Sequence, residues 1–293
     1  MIPEPIASSE LILTPRGTIY HLDLHPDQLA DTIITVGDPT RVATVSRYFD
    51  SIESQAQHRE FVTHTGRIGQ KRISVVSTGI GPDNIDIVLN ELDALVNIDF
   101  DTRTVKADKK KLNIIRLGTC GGLQHGIPVD SLVASSFGLG LDNLLHYYAY
   151  NPNPEERFIQ QEFQAHLGLS GTALHPYVVE GAIRLRNLFS AVAHSGMTAT
   201  CPGFYGPQGR MLRLAPAYPQ LINAISSFEC RGERVANFEM ETAAIYGLAH
   251  LLGHHALSVS VVVAQRAEGT FTQDGATAVD VMIRKCLPLL EAL

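Results

Sequence analysis

Short apolar runs alternate with amphipathic stretches along most of the chain. The apolar runs at 32–37, 72–79, 113–118, 131–136, 191–200 and 256–264 have the length and composition of buried strands. Helical spacing of apolar positions follows at 40–49, at 84–96, from about Glu241 to 253, and at 275–293. Apolar strands that alternate with helices predict an α/β fold, with a central mixed, largely parallel sheet covered on both faces by helices.

Two segments fall outside this alternation. The first 18 residues follow neither pattern and predict an N-terminal arm, which leaves 19–293 as one domain. Residues 97–112 are polar and charged, so we expect a surface excursion between a helix and the next strand. The chain shows no internal repeat and no linker that would divide it further.

Composition and charge narrow the function classes. The 293 residues are 45% hydrophobic and 18% charged, which is enough for one large α/β domain. A net charge of −7 argues against a nucleic-acid partner. No apolar run approaches the roughly 20 residues that span a bilayer, and the N-terminus does not resemble a signal peptide. Cys120, Cys201, Cys230 and Cys286 form no CxxC pair, so we expect reduced thiols in a cytoplasmic protein.

The turn after the first predicted strand, VGDPTR at 36–41, is a candidate anion site. Gly37 allows the backbone to approach a ligand, Asp38 suits a helix N-cap, and Pro39 suits the first helical position. A helix N-terminus attracts anions, and Arg41 lies in its first turn. The same residues also fit an ordinary strand-to-helix turn with a surface arginine.

A second candidate is IIRLGTCGG at 114–122, where Arg116 lies inside an apolar strand. A buried unpaired charge costs several kcal/mol, so Arg116 needs an anion or a carboxylate as partner. Together with the Thr119 hydroxyl and the glycines around it, the arginine fork suits phosphate. The alternative is that Arg116 pairs with a structural acid and the glycines turn the chain. Neither a GxxxxGK[ST] nor a GxGxxG motif occurs.

Two further motifs carry polar groups next to apolar ones. In GFYGPQGR at 203–210, Gln208 offers a donor and an acceptor, Arg210 offers donors, and Phe204 can stack on a ring. An ordinary loop with one aromatic anchor is the alternative. In ANFEMETA at 236–243, Glu239 and Glu241 lie where a strand runs into a helix, and acids there also favour the positive end of a helix.

Taken in order, these motifs resemble the uridine phosphorylases of the nucleoside phosphorylase superfamily. The resemblance covers most of the chain from about Ile19 and includes IYHLDL, VGDPTRV, QHREF, STGIG, IIRLGTCGGLQ, FYGPQGR and NFEMETA. It implies a three-layer α/β/α nucleoside-phosphorylase-like fold and a pentosyltransferase that converts uridine and phosphate to uracil and ribose 1-phosphate. Phosphate would be the co-substrate, and no cofactor is expected. The family also implies a homodimer or a hexamer with shared active sites.

The resemblance assigns the candidate site residues to three groups. Phosphate would be bound by Gly37, Arg41, Arg116 and Thr119, with Arg59 from a neighbouring subunit. Ribose would be bound by Glu239, Met240 and Glu241, with His21 reaching the 5′-hydroxyl from the neighbour. The base would be bound by Phe204, Gln208 and Arg210. Catalysis itself would rest on Arg116, Glu241 and Arg210.

The sequence departs from the family pattern in a longer N-terminal arm, a longer excursion at 97–112 and an altered turn after STGIG. No metal is predicted, although some relatives bind a monovalent cation near the counterparts of Glu60, Ile80 and Asn84. The turn there is altered, with Pro82, Asp83 and Asn84 in place of Gly, Pro and Ser.

Purine-cleaving relatives carry an Asp where this chain has Gln265 and Arg266. A pyrimidine nucleoside is therefore favoured. The alternatives are a purine nucleoside phosphorylase, a hydrolytic nucleosidase, and a catalytically silent nucleoside-binding protein on the same fold.

Overall fold

A computed structural model describes residues 4–293, in which most of the chain is divided between one large sheet and the helices that cover it. The strands are β1 Thr32–Val36, β2 Ser51–His58, β3 Phe61–Ile68, β4 Lys71–Ser77, β5 Ile98–Asp99, β6 Thr104–Val105, β7 Asn113–Gly122, β8 Leu132–Gly140, β9 Tyr177–Glu180, β10 His194–Thr200, β11 Glu229–Cys230, β12 Glu233–Glu239, β13 His255–Gln265 and β14 Thr270–Phe271. The helices are α1 Pro39–Ser46, α2 Pro82–Asn97, α3 Pro154–His166, α4 Ile183–Phe189, α5 Leu221–Ser227, α6 Thr242–Leu252 and α7 Gly275–Glu291.

The sheet is mixed, as predicted, and its strand order is β11-β12-β10-β8-β13-β7-β1-β4-β3-β2. Pairing is parallel from β13 through β7 and β1 to β4, and again from β8 through β10 to β12. The two blocks meet where β13 and β8 pair antiparallel, and the hairpin strands β2 and β3 extend one edge. An antiparallel contact between β12 and β7 closes the middle of the sheet into a ring of strands.

Helices cover both faces, which confirms the three-layer arrangement. Successive residues of a strand point to opposite faces, and Ile33 and Ile34 of β1 belong to two different apolar clusters. The cluster around Ile33 contains residues of α2 and α6, and the cluster around Ile34 contains residues of α1, α4 and α7. The four cysteines are buried and unpaired.

The glycine-rich stretch after Arg116 does not turn the chain, and that part of the alternative interpretation is wrong. β7 continues through Thr119 to Gly122, since the last glycines pair with β12. A Cβ atom on Gly118 would lie 1.7 Å from a guanidinium nitrogen of Arg116, so this glycine leaves the space that the arginine side chain occupies. The strand therefore carries Arg116 in its interior and not at its end.

The N-terminal segment and the excursion at 97–112 contact each other. The guanidinium of Arg103 donates to the carbonyl oxygens of Ile6, Ala7 and Leu11, and the Ile6 N–H donates to the Arg103 carbonyl oxygen at 2.7 Å. Leu11 is buried in the cluster that α2 and α6 share. The boundary between arm and domain stays a prediction, and residues 1–3 of that arm lie outside the described residues. No helix within 4–293 is long and apolar enough to cross a membrane.

Candidate active site

A cleft of about 800 Å³ opens where β1, β4 and β12 end, with β7 and β13 forming part of its wall. Ligand sites of open α/β sheets commonly lie outside the carboxyl ends of the strands. The predicted residues that line the cleft are Gly37, Arg41, Arg116, Thr119, Phe204, Gln208, Arg210, Glu239, Met240 and Glu241. Motifs that are far apart in sequence therefore meet in one place.

Arg116 lies at the base of this cleft and is paired with two acids. Its Nη2 atom is 2.5 Å from Glu241 Oε2 and 3.3 Å from Glu239 Oε2, and its Nη1 donates to the Ser260 hydroxyl at 3.2 Å. All three charged side chains are at most 8% exposed. Burial alone would lower the pKa of Arg116, but the two carboxylates more than offset it and raise that pKa. The arginine is thus held ionised.

The two glutamates have different roles at the start of α6. Glu239 accepts the N–H groups of Glu241 and Thr242 at 2.9 Å and the Thr200 hydroxyl at 2.8 Å, so its carboxylate caps the helix. Glu241 occupies the N-cap position, but its side chain makes no cap hydrogen bond. It accepts the Gly81 N–H at 2.8 Å instead and binds Arg116. The helix-start interpretation therefore describes Glu239 and leaves Glu241 unexplained.

Burial raises the pKa of the Glu241 carboxyl, and the attraction of Arg116 only partly opposes that shift. Met240 lies between the two acids and is half-buried at the cleft wall. A carboxylate has about four acceptor positions, and those that Gly81 and Arg116 leave open on Glu241 are available to a ligand. This part of the cleft suits a ligand with neighbouring hydroxyl groups.

Arg41 is a further cation of this cleft. Within the described residues its guanidinium makes neither a hydrogen bond nor an ion pair, although the side chain is half-buried. Burial lowers its pKa first, and the charge of the nearby Arg116 lowers it further. Asp38 caps α1 by accepting the Thr40 N–H at 2.8 Å, and Pro39 begins the helix, as predicted. Two guanidinium groups near a helix N-terminus form an environment suited to an anion.

The loop at 203–210 folds around Arg210. The guanidinium carbon of Arg210 lies 3.8 Å from the centre of the Phe204 ring, and Nη1 donates to the Phe204 carbonyl oxygen at 2.7 Å. Nη1 also donates to Oε1 of Gln208, whose side chain is buried. Burial and the charge of Arg266 lower the pKa of Arg210. The amide nitrogen of Gln208 and the remaining N–H groups of Arg210 are left to face a ligand.

His21 and Arg59 do not line the cleft of their own chain. His21 Nδ1 lies 2.6 Å from a carboxylate oxygen of Glu91, and Arg59 is exposed with a left-handed backbone at φ 54°. Their assignment to the site of a neighbouring subunit stays a prediction.

The segment proposed for a monovalent cation borders the cleft. Glu60, Ile80 and Asn84 all contribute to its wall, and the Asn84 amide donates to Glu60 at 3.4 Å. Among residues 4–293 no cluster of three or more His, Cys, Asp or Glu side chains could hold a metal ion. A monovalent cation near Glu60, Ile80 and Asn84 stays a hypothesis.

The groups that hold the charged residues in place were not predicted from the sequence. Thr200, Gly81 and Ser260 each belong to a different strand or loop from the side chain that they bind. Ser260 carried a signal, since the apolar strand β13 has serines at alternate positions 258 and 260 and therefore on one face. Gln265 is also structural: its buried amide donates to the carbonyl oxygens of Gln124 and Ile127.

Comparison with known proteins gives the family. A sequence model of the phosphorylase superfamily matches residues 31–290. The chain belongs to the phosphorylase superfamily. It is 32% identical over 272 residues to a uridine phosphorylase of Thermococcus kodakarensis, covering 93% of this chain and 86% of that one. It is 28% identical over 262 residues to a uridine phosphorylase of Escherichia coli, covering 86% and 88%.

A solved structure agrees with this assignment. A nucleoside phosphorylase from Trypanosoma brucei, described as showing uridine phosphorylase activity, superimposes with a TM-score of 0.87 at 31% identity and covers 96% of this chain and 98% of its own. The predicted resemblance, the fold class and the prediction of a pentosyltransferase enzyme are confirmed at the level of this superfamily.

Proposed function

We propose that this phosphorylase superfamily member cleaves uridine by phosphorolysis and releases uracil and ribose 1-phosphate. The observation that carries the proposal is the environment of the Arg41 guanidinium. A half-buried guanidinium that has no hydrogen-bond or ion-pair partner among residues 4–293, beside the Arg116 guanidinium and the start of α1, is suited to a bound anion. Inorganic phosphate is the anion that the superfamily's reaction uses, and Gly37 and Thr119 line the same part of the cleft.

The remaining residues of the cleft suggest where the ribose and the base bind. Glu241 retains acceptor positions for the sugar hydroxyls, and Met240 offers an apolar surface to the ring. Gln208 and Arg210 match a pyrimidine with two carbonyl oxygens and an N3–H between them. A carbonyl oxygen has two lone pairs, so Oε1 of Gln208 accepts Arg210 and still has a position for N3–H.

The reaction needs no covalent enzyme intermediate, because phosphate is the nucleophile. A phosphate oxygen forms a bond to C1′ while the bond from C1′ to N1 of uracil breaks. The electron pair of that bond passes to the base, which leaves as the uracil anion and takes up a proton from water. We expect an oxocarbenium-like sugar, as in glycoside transfer. Arg41 and Arg116 orient the phosphate, and the donors on Gln208 and Arg210 stabilise the charge that spreads onto the uracil carbonyl oxygens. No further cofactor enters this scheme.

We further propose that each active site is shared between two subunits. His21 and Arg59 lie outside the cleft of their own chain, which fits a supply of both from a neighbouring subunit. His21 would then bind the 5′-hydroxyl of the nucleoside and Arg59 the phosphate. Such an exchange requires at least a two-fold dimer with two symmetric sites, either alone or within a hexamer.

A nucleoside panel in phosphate buffer tests the base assignment. Uridine should be cleaved well and cytidine at least about 100-fold more slowly, since cytidine presents an amine and an unprotonated N3 to the fixed groups of Gln208 and Arg210. Release of the free base is followed by absorbance at one enzyme concentration. Faster cleavage of inosine or adenosine than of uridine would replace the proposal with a purine nucleoside phosphorylase, and cleavage of none with a silent binding protein.

A further inference from the structure

The carboxylate of Glu91, on α2, binds one segment of the chain, residues 21 and 22. Its carboxylate accepts the N–H of His21 at 3.0 and 3.1 Å and the N–H of Leu22 at 2.8 Å. The same carboxylate contacts Nδ1 of the His21 ring at 2.6 Å. Side-chain exposure is 12% for Glu91 and 25% for His21, so the pair is shielded but the ring still reaches solvent.

This contact determines which nitrogen of the ring carries the proton. A carboxylate only accepts hydrogen bonds, so Nδ1 of His21 must be the donor to Glu91. In the neutral ring Nε2 is then an acceptor, and within the described residues it has no hydrogen-bond partner. Nε2, on the side of the ring away from Glu91, is thus the nitrogen that can accept a hydrogen bond from a ligand.

The ring orientation is fixed as well. The Tyr20 and Phe61 rings both pack edge-on against the imidazole of His21. Their ring centres lie 4.8 Å and 6.2 Å from its centre. His58 also contacts this segment, with Nδ1 lying 3.1 Å from the His21 carbonyl oxygen. A histidine held by a carboxylate behind one nitrogen, with the other nitrogen free, is a common arrangement for binding a ligand in a defined geometry.

We propose that Glu91 is a positioning residue: it orients His21 and sets its tautomer so that Nε2 accepts the 5′-hydroxyl of the nucleoside in the partner's site. The inference rests on the proposed function for the identity of the ligand. Glu91 itself touches no substrate, and its influence passes entirely through His21. The effect of changing it should therefore depend on the presence of both His21 and the 5′-hydroxyl.

The test uses Glu91→Gln, which keeps the shape of the side chain. Its single amide oxygen can accept backbone N–H groups, but its NH2 group then faces Nδ1 and favours the opposite tautomer, with the proton on Nε2. We expect kcat/KM for uridine to fall about 10-fold, as for other groups that orient a ligand-binding histidine, and kcat/KM for 5′-deoxyuridine to change less than about twofold. In a His21→Ala background Glu91→Gln should have no further effect.

Nitrogen NMR of the His21 ring provides a readout that loss of structure would not mimic. The unmutated protein should carry the proton on Nδ1, and the Glu91→Gln protein on Nε2. Asp86→Asn is the matched control, since Asp86 is also an acid of α2 but binds Tyr148 and Asn90 and does not contact His21. This variant should leave kcat/KM for both substrates and the nitrogen signals of His21 unchanged.

The outcomes separate this inference from the proposed function. Equal losses on uridine and 5′-deoxyuridine, or an unchanged tautomer in Glu91→Gln, would overturn the role of Glu91 while uridine cleavage stands. If the unmutated protein cleaves neither nucleoside in phosphate, the proposed function fails and the role of Glu91 fails with it. A loss confined to uridine that disappears in His21→Ala would establish the role.

Discussion

Replacing Arg116 by alanine is expected to remove nearly all activity and to weaken the fold at the same time. The side chain is paired with Glu239 and Glu241, both buried, and its removal leaves two carboxylates without their cation. Breaking a buried pair by removing one partner costs about 3–5 kcal/mol of the free energy of unfolding. Loss of a charge-assisted contact to phosphate should lower kcat/KM by at least about 100-fold.

Arg41→Ala separates the two effects. Arg41 has no ion pair in the described part of the chain and lies close to the positive Arg116, so no charge is orphaned by its removal. Its kcat/KM should fall by about 100-fold, while the free energy of unfolding in urea stays within about 0.5 kcal/mol of the unmutated value. Arg67→Ala, which breaks a solvent-exposed pair with Glu53, is the control for both measurements. If Arg41→Ala unfolds as easily as Arg116→Ala, the anion site is wrongly assigned.

Mixing inactive subunits is expected to restore activity. Arg59→Ala and Arg41→Ala should each form nearly inactive oligomers. In a mixed dimer the Arg59→Ala subunit keeps its own Arg41 and takes an intact Arg59 from its partner, so one of the two sites is complete. Random mixing at equal amounts puts about half of the dimers in this state, and activity should recover to about one quarter of the unmutated level.

The control for that experiment is the exchange itself, measured with two differently tagged subunits by native mass spectrometry. If Arg59 acts within its own chain, every site in the mixture lacks one arginine. Confirmed exchange with no recovery of activity would then reject the shared site, and His21 would lose its proposed position as well.

The cleft was predictable from sequence to the extent that its residues follow strongly patterned strands. Gly37 comes directly after β1 and Arg41 lies in the first turn of α1, while Glu239 and Glu241 lie where the apolar strand β12 runs into α6. The rule that ligands bind at the carboxyl ends of strands then brings these groups together. Arg116 was recognisable because a charge inside an apolar strand requires a partner.

The other features of the fold and of the candidate site depend on contacts that local sequence patterns do not encode. Both alternatives for Arg116 rest on true features, since it pairs with acids and also lines the cleft next to Arg41. The pairing of β12 with β7, which keeps the glycines of β7 in a strand, joins segments more than 100 residues apart. The hairpin of β2 and β3 was missed because β2 is mostly exposed and carries few apolar residues.

The central claim is that the anion bound beside Arg41 and Arg116 is the nucleophile. Phosphorus NMR of the protein with uridine and inorganic phosphate tests it directly, with uracil followed in the same sample. We expect one ribose 1-phosphate for each uracil released, and at least about a 100-fold slower release when phosphate is left out. Uracil released at the same rate without phosphate, together with free ribose, would contradict the account and identify a hydrolase.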